Sequence, residues 1–370
     1  MNRLLSVVAL RLGCSGLIAQ RGVAAEPTAT AADVTLLAAA APGADQAALA
    51  AAADRLATIA ADGFREPLAA LGRATPAGAN WLRSGLDRAA ERLGDSLGVD
   101  TLAGFVANKE LPPRGRSLAF GWLEARDPAR AAGLLAGMLD EEALDLRRAA
   151  VAKVLADAAA GDAAAQLAAH RRAIGAARDV DQVEAIATWL TEHGEPTDVA
   201  EVLGFVRRWK VSGEYDNAGG VGFDQAYPPE EGEAAPGMAA ADWKPVASSH
   251  KHGEIDLNVA VATKKGVLAY ALAEVELPAA GQAEVRIGSP CAVAVWVNGR
   301  KVMAHEIYHA SEAIDQYVAA AEFRQGANTV LVKCCQNEQT EPWAGEWKFQ
   351  LRITDPLGRP LATQPPEEPK

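Results

Sequence analysis

His305-Glu306-Ile307-Tyr308-His309 satisfies the pattern H-E-x-x-H. On a helix, residues four apart share a face, so His305 and His309 would reach one zinc ion, with Glu306 beside it as general base for a bound water. Asp315 falls where a third ligand is expected, and Ile307, Ile314, Tyr317, Val318 and Ala321 form a roughly helical stripe over 304–323. The chemistry would be zinc-assisted hydrolysis. Two features oppose it. The Asn298-Gly299 turn predicts a hairpin whose returning strand still runs at His305, which would send His305 and Glu306 to opposite faces. Glu312 also occupies the position at which such a chain needs glycine to turn toward its third ligand. Solvated loop histidines are therefore the expected reading, and zinc hydrolysis the alternative.

Recognition without bond breaking needs a different mixture. Sugars are held by aromatic rings against their apolar C–H faces, with amides and carboxylates taking the hydroxyls. The run from Gln336 to Trp343 holds that mixture, with Asn337, Glu338 and Trp343 as candidate ligand contacts. Folding of Trp343 back over the open end of the domain is the structural alternative. His250 and His252 near Ser248-Ser249 lack a G-x-S-x-G elbow and are expected to be solvated, and no phosphate-binding glycine loop occurs in a strand-to-helix context.

The elements that would carry these residues change along the chain. Arg3, the apolar run Leu4 to Leu10 and the small residues Val23-Ala24-Ala25 before Glu26 have the order of a secretory signal over 1–25, so an exported protein, periplasmic or extracellular, is expected. Arg11 and Arg21 interrupt the apolar stretch, so no stable membrane span is expected after signal removal. Export leaves Cys291, Cys334 and Cys335, and an oxidising compartment permits a bridge from Cys291, with Cys334 the candidate partner. Small buried thiols without a bridge are the alternative.

Over 29–61, 17 of 33 residues are alanine, which predicts a loosely held helix or linker within 26–62. Amphipathic helices follow over 63–204. Asp127-Pro128 is an N-cap signal, and Val183, Ile186, Ala187 and Leu190 recur at i, i+3, i+4, i+7 before Gly194. A helix pair about every forty residues matches the period of α-solenoids, and Leu139 to Leu155 resembles a HEAT repeat, with an irregular helical bundle as the structural alternative. Trp81, Trp122 and Trp189 fall on apolar stripes and are expected in the core.

Near Trp209 the period becomes two-fold. Residues 213–237 read as a long ordered loop or irregular edge. Val267 to Leu277, Val293 to Val297 and Trp347 to Ile353 then alternate as strands, which predicts an antiparallel β-sandwich over 205–361 and a disordered tail at 362–370. The fold class is thus α+β and multidomain. The 370 residues suffice for two or three domains, and a net charge of -12 disfavours nucleic-acid binding.

Val285-Arg286-Ile287-Gly288-Ser289, Val295-Trp296-Val297-Asn298-Gly299-Arg300, Gly326, Asn328, Leu331-Val332-Lys333 and Trp347 to Arg352 resemble the galactose-binding-like jelly roll. Such domains accompany secreted bacterial glycoside hydrolases and include carbohydrate-binding modules. The chain departs from the commonest pattern at Pro290-Cys291, where an acidic pair and glycine often precede the strand. The resemblance implies a jelly roll recognising a glycan or an envelope protein, without catalysis of its own. A purely structural envelope module is a further expectation. Structural calcium is possible in such domains, although the acidic pairs Glu230-Glu231 and Glu367-Glu368 read as solvated surface.

Overall fold

A computed structural model of the chain describes residues 29–230 and 242–364. The chain is mixed α+β, and its two compact units divide between Trp122 and Leu123.

The first unit is helical: α1 (Ala31–Ala38), α2 (Gln46–Leu56), α3 (Arg65–Ala70), α4 (Pro76–Leu93), α5 (Val99–Ala107) and α6 (Pro113–Arg126), the last crossing the division. Its alanine-rich start is firmly held. Leu37, Leu49 and Leu56 are buried, and α1 and α2 both pack against α4. Alanine here permits close approach. A Cβ on Gly78 of α4 would stand 2.3 Å from the carbonyl oxygen of Ala38, so that contact requires glycine. The expectation of a loosely held helix or linker is corrected: small side chains let helices approach until a few leucines fill the space.

The second unit begins with α7 (Pro128–Leu135), α8 (Leu144–Ala158), α9 (Ala163–Ala176), α10 (Val180–Glu192) and α11 (Val199–Leu203). Asp127 caps α7, accepting from the Arg130 amide at 2.9 Å. The four residues of the Val183 stripe are the buried ones of α10. Consecutive helices from α7 to α11 pack on one another. Trp189 is half-buried, stacked between His170 and His193 at 3.6 and 3.7 Å, and Trp122 donates its indole N–H to Asp87 at 2.8 Å. These tryptophans bury a face and keep polar company, short of full burial in a core.

The strands follow: β1 (Arg208–Val211), β2 (Tyr215–Asp216), β3 (Lys244–Ala247), β4 (Ile255–Asp256), the short α12 (Leu257–Ala260), β5 (Val267–Leu277), β6 (Gly281–Gly288), β7 (Ala292–Val297), β8 (Arg300–His305), β9 (Tyr317–Phe323), β10 (Gly326–Cys335) and β11 (Lys348–Thr354). All pairings are antiparallel. One sheet runs β3-β1-β5-β10-β7-β8 with β2 also on β5, and the other runs β4-β11-β6-β9. The alternating residues of β5, β7 and β11 meet in one buried core with Trp347, Val285 and Ile287, giving a sandwich-like pair of sheets. Asn298 and Gly299, both at positive φ, make the two-residue turn between β7 and β8.

Two boundaries differ from the sequence reading. Helices α7–α11 belong to the same compact unit as the sheets, so the division does not fall at 204/205. The Arg352 guanidinium of β11 donates to the Leu203 carbonyl at 3.3 Å and lies over the Phe205 ring, while Glu184 of α10 pairs with His252 at 2.6 Å. At the other end, residues 362–364 are not a disordered tail. Thr363 exchanges hydrogen bonds with Glu276, and the Gln364 amide oxygen accepts from the Arg207 and Arg208 amides. The signal region 1–25 and residues 365–370 lie outside the described residues.

Candidate functional site

The H-E-x-x-H segment does not form a helix. His305 ends β8, paired opposite Val293, and its ring stacks on Tyr317 at 4.0 Å. Glu306 and Ile307 are exposed in the loop beyond, and His309 sits at φ 57, a single left-handed residue that turns the chain. The hairpin pairing wins over helical spacing because β8 completes its ladder on β7. His309 Nε2 lies 2.8 Å from Asn337 Oδ1, which also accepts the Gln339 amide at 3.1 Å. That oxygen is an acceptor, so Nε2 carries its proton and offers no lone pair to a metal. Asp315 is held by Arg286 at 2.8 Å and by the Nε and one terminal nitrogen of Arg352. Burial works against its charge, but the two arginines hold its pKa below the ordinary value. The expected zinc set His305, His309 and Asp315, with Glu306 as base, is therefore corrected.

The cysteine bridge is also absent. Cys291, Cys334 and Cys335 are free and buried. Val293 is the residue opposite Cys334, and Cys291 lies two residues before it. Cys291 instead donates to the Glu346 carbonyl at 3.3 Å. Burial, with the Cys291 thiol beside it, pushes the Cys334 thiol well up, and burial pushes Cys335 up to about 12. Cys334 faces the core between the sheets, and Cys335 the opposite face.

That opposite face has a core of its own, which the sequence did not reveal. Phe223, Tyr270, Trp296 and Leu331 pack there beneath the glycine- and proline-rich loop after β2. Lys333, 1% exposed, donates to the carbonyls of Phe223 at 2.9 Å and Gln225 at 2.7 Å, and pairs with Glu230 at 2.8 Å. Tyr270 also donates its hydroxyl to Glu230. Glu230 is thus an internal counter-ion and not solvated surface. Glu231, Glu367 and Glu368 lie outside the described residues. Among the described residues no three His, Cys, Asp or Glu are grouped to hold a metal ion.

The loop from 336 to 343 does assemble with others. The Glu338 carboxylate accepts the Gly219 amide, and the Asn337 carbonyl accepts the Gly266 amide at 3.0 Å. Tyr308 places its hydroxyl 3.2 Å from the Asn217 amide nitrogen, and burial pushes its pKa up to about 12. Trp343, 62% exposed, meets the His309 ring edge-on at 5.0 Å. Of the two tryptophans in this stretch, the buried one is Trp347, whose indole N–H donates to the Cys334 carbonyl at 3.1 Å. The alternative in which Trp343 plugs the sandwich is thereby corrected. Loops 217–221, 306–309 and 337–343 converge at one end of the sheets and present a tryptophan face, an imidazole, two carboxylates and an amide. Glu306, Tyr308, His309 and Asn217 escaped the sequence reading of this site, because loop neighbours in space carry no periodic signal.

No family model matches the chain, and no curated protein matches it. Among solved structures it is similar to an anti-sigma factor domain-containing protein, at 9% identity and a TM-score of 0.27 over 44% of this chain and 46% of that one. It is also similar to Faecalibacterium prausnitzii β-glucuronidase, at 14% identity and a TM-score of 0.24 over 41% of this chain and 32% of that one. For a β-glucuronidase from Ruminococcus gnavus in complex with D-glucaro 1,5-lactone the values are 14% and 0.23, over 40% of this chain and 29% of that one. The chain spans less than half the length of each, and likenesses at this level carry no assignment of fold or activity.

Proposed function

We propose that the chain is a non-catalytic, exported binding protein, in which a HEAT-like helical region carries a galactose-binding-like jelly roll that recognises a glycan. The sequential packing of α7 to α11 supports the repeat, and the two facing antiparallel sheets support the jelly roll. The observation that carries the function is Trp343, exposed and buttressed edge-on by His309 beside Asn337 and Glu338. An open indole face takes the apolar side of a pyranose, and the neighbouring oxygens take its hydroxyls. Probing immobilised glycans with the full chain and with Trp343→Ala tests this. A glycan retained by the parent and lost by the variant is expected, and binding that survives the substitution sinks the assignment.

A surface protein is the second reading. Val221 is 61% exposed and Ile307 47%, both on the loops beside Trp343, and adjacent exposed apolar side chains suit a protein partner. Under this reading Ile307→Asp abolishes capture of the partner while leaving glycan retention unchanged.

A further inference from the structure

Helices α8 and α9, the segment leading into α8 and the turn after β11 line an open cavity of about 590 Å3, sharing no residue with the loops around Trp343. Four arginines line it, Arg147, Arg172, Arg178 and Arg359. In a chain of net charge -12 this is a local reversal of sign. Arg147 is 6% exposed and donates its Nε to the Glu141 carbonyl at 2.6 Å. Arg178 donates one terminal nitrogen to the carbonyls of Gly175 at 3.0 Å and Ala177 at 2.7 Å, while its Nε is buried without an acceptor. Among the described residues no carboxylate lies within ion-pair distance of Arg147, Arg172 or Arg178.

Asp355, the carboxylate that acts on Arg178, is already engaged. Asp355 Oδ1 accepts the amides of Leu357 and Arg359, and Oδ2 pairs with Arg359 at 3.2 Å. Burial lowers the pKa of Arg178, and the charges of Arg147, Arg359 and Arg352 add to that against the opposing pull of Asp355. A buried cationic donor with no acceptor and cationic neighbours is unfavourable by itself, and an oxyanion relieves both penalties. Planar guanidinium groups fit the paired oxygens of carboxylate or phosphate. Asp140 and Glu142 line the same cavity and offer acceptors that an anion cannot use but hydroxyl groups can. The volume lies within the range of small-molecule sites.

We propose that this cavity binds a small polyhydroxylated anion, a sugar acid or sugar phosphate, with its oxyanion on Arg147, Arg172 and Arg178 and its hydroxyls on Asp140 and Glu142. Calorimetric titration of the full chain with D-glucuronate, glucose 6-phosphate, inorganic phosphate and neutral glucose tests it. One of the two sugar anions is expected to bind at least about tenfold tighter than inorganic phosphate, with no heat from glucose, and the tighter of the two tells carboxylate from phosphate. Arg172→Gln, on the exposed wall, should weaken that binding about tenfold or more, since a charge-assisted hydrogen bond is lost. Arg359→Gln provides a second variant that leaves the buried Arg147 in place. Trp343→Ala should leave the affinity unchanged, which separates this site from the proposed glycan loops. Absence of heat from all the anions up to about 10 mM overturns the proposal. So does inorganic phosphate binding as tightly as both sugar anions, or unchanged affinity in both arginine variants.

Discussion

Lys333 and Glu230 form an ion pair at 2.8 Å although 103 residues separate them in the chain, and the lysine is 1% exposed. The pair fastens the loop after β2 onto the outer face of the larger sheet, above Phe223, Tyr270 and Leu331. A charge pair taken out of water is stable only when its remaining bonds are made. Here the Phe223 and Gln225 carbonyls and the Tyr270 hydroxyl complete it.

Lys333→Met should therefore cost about 3–5 kcal/mol, because Glu230 is left buried and uncompensated. Lys333→Met combined with Glu230→Leu should recover part of that loss and not all, since the two carbonyls still lack their donor. Denaturant midpoints of the three chains measure this. A single variant as stable as the parent would show that the loop contributes little to holding the sheet.

The two neighbouring tryptophans should separate cleanly. Trp347 is fully buried between the sheets, so Trp347→Ala should cost about 3–5 kcal/mol. Trp343→Ala, at an exposed ring, should stay within about 0.5 kcal/mol of the parent. Equal losses in chemical denaturation would mean that Trp343 belongs to the packing and leave the recognition surface without its aromatic face.

The strand faces were legible in the sequence and the loop partnerships were not, for a physical reason. Phe349, Leu351 and Ile353 alternate with Gln350, Arg352 and Thr354, and because successive side chains of a strand point to opposite faces the two-fold alternation reads directly, although here the polar face is covered as well. Glu230 looked solvated because its neighbours in sequence are acidic, whereas its partner Lys333 comes from β10. His305 to His309 fitted a helix by spacing, yet the pairing of His305 with Val293 is set by a turn upstream. Asn337 and Trp343 were legible from their types, but their neighbours His309 and Tyr308 join them only through the fold.

The division of the chain makes a further difference measurable. A fragment starting at residue 205 lacks the Leu203 carbonyl that Arg352 binds and the Glu184 carboxylate that His252 binds, and it exposes the helical side of Phe205. A fragment starting at residue 123 keeps all three. The longer fragment should unfold in one cooperative transition, and the shorter one should melt lower or fail to fold. A shorter fragment as stable as the longer one would restore the boundary at 204/205.

Acid should weaken the first unit through one carboxylate. Asp33 accepts from Arg55 Nε at 3.1 Å and from a second Arg55 nitrogen, and it completes the N-terminal cap of α1 by accepting the Thr30 amide at 2.9 Å. The Arg55 hydrogen bonds are the main cause of a pKa lowered from its ordinary 3.8 to about 2, with burial working the other way. The folded chain thus binds this proton less readily than the unfolded chain does. The resulting stability is present above pH 3.8 and is lost as the pH falls toward 2. It amounts to about 2 kcal/mol at most. Because Asp181 beside Arg148 shifts the same way, thermal unfolding of the parent must be compared with Asp33→Asn at each pH. The variant should be less stable near neutrality and converge on the parent as the pH falls below about 2, where the Asp33 carboxyl becomes neutral like the asparagine amide. A stability gap that stays constant over that window would assign the loss to cap geometry and remove the Asp33–Arg55 charge pair from the account.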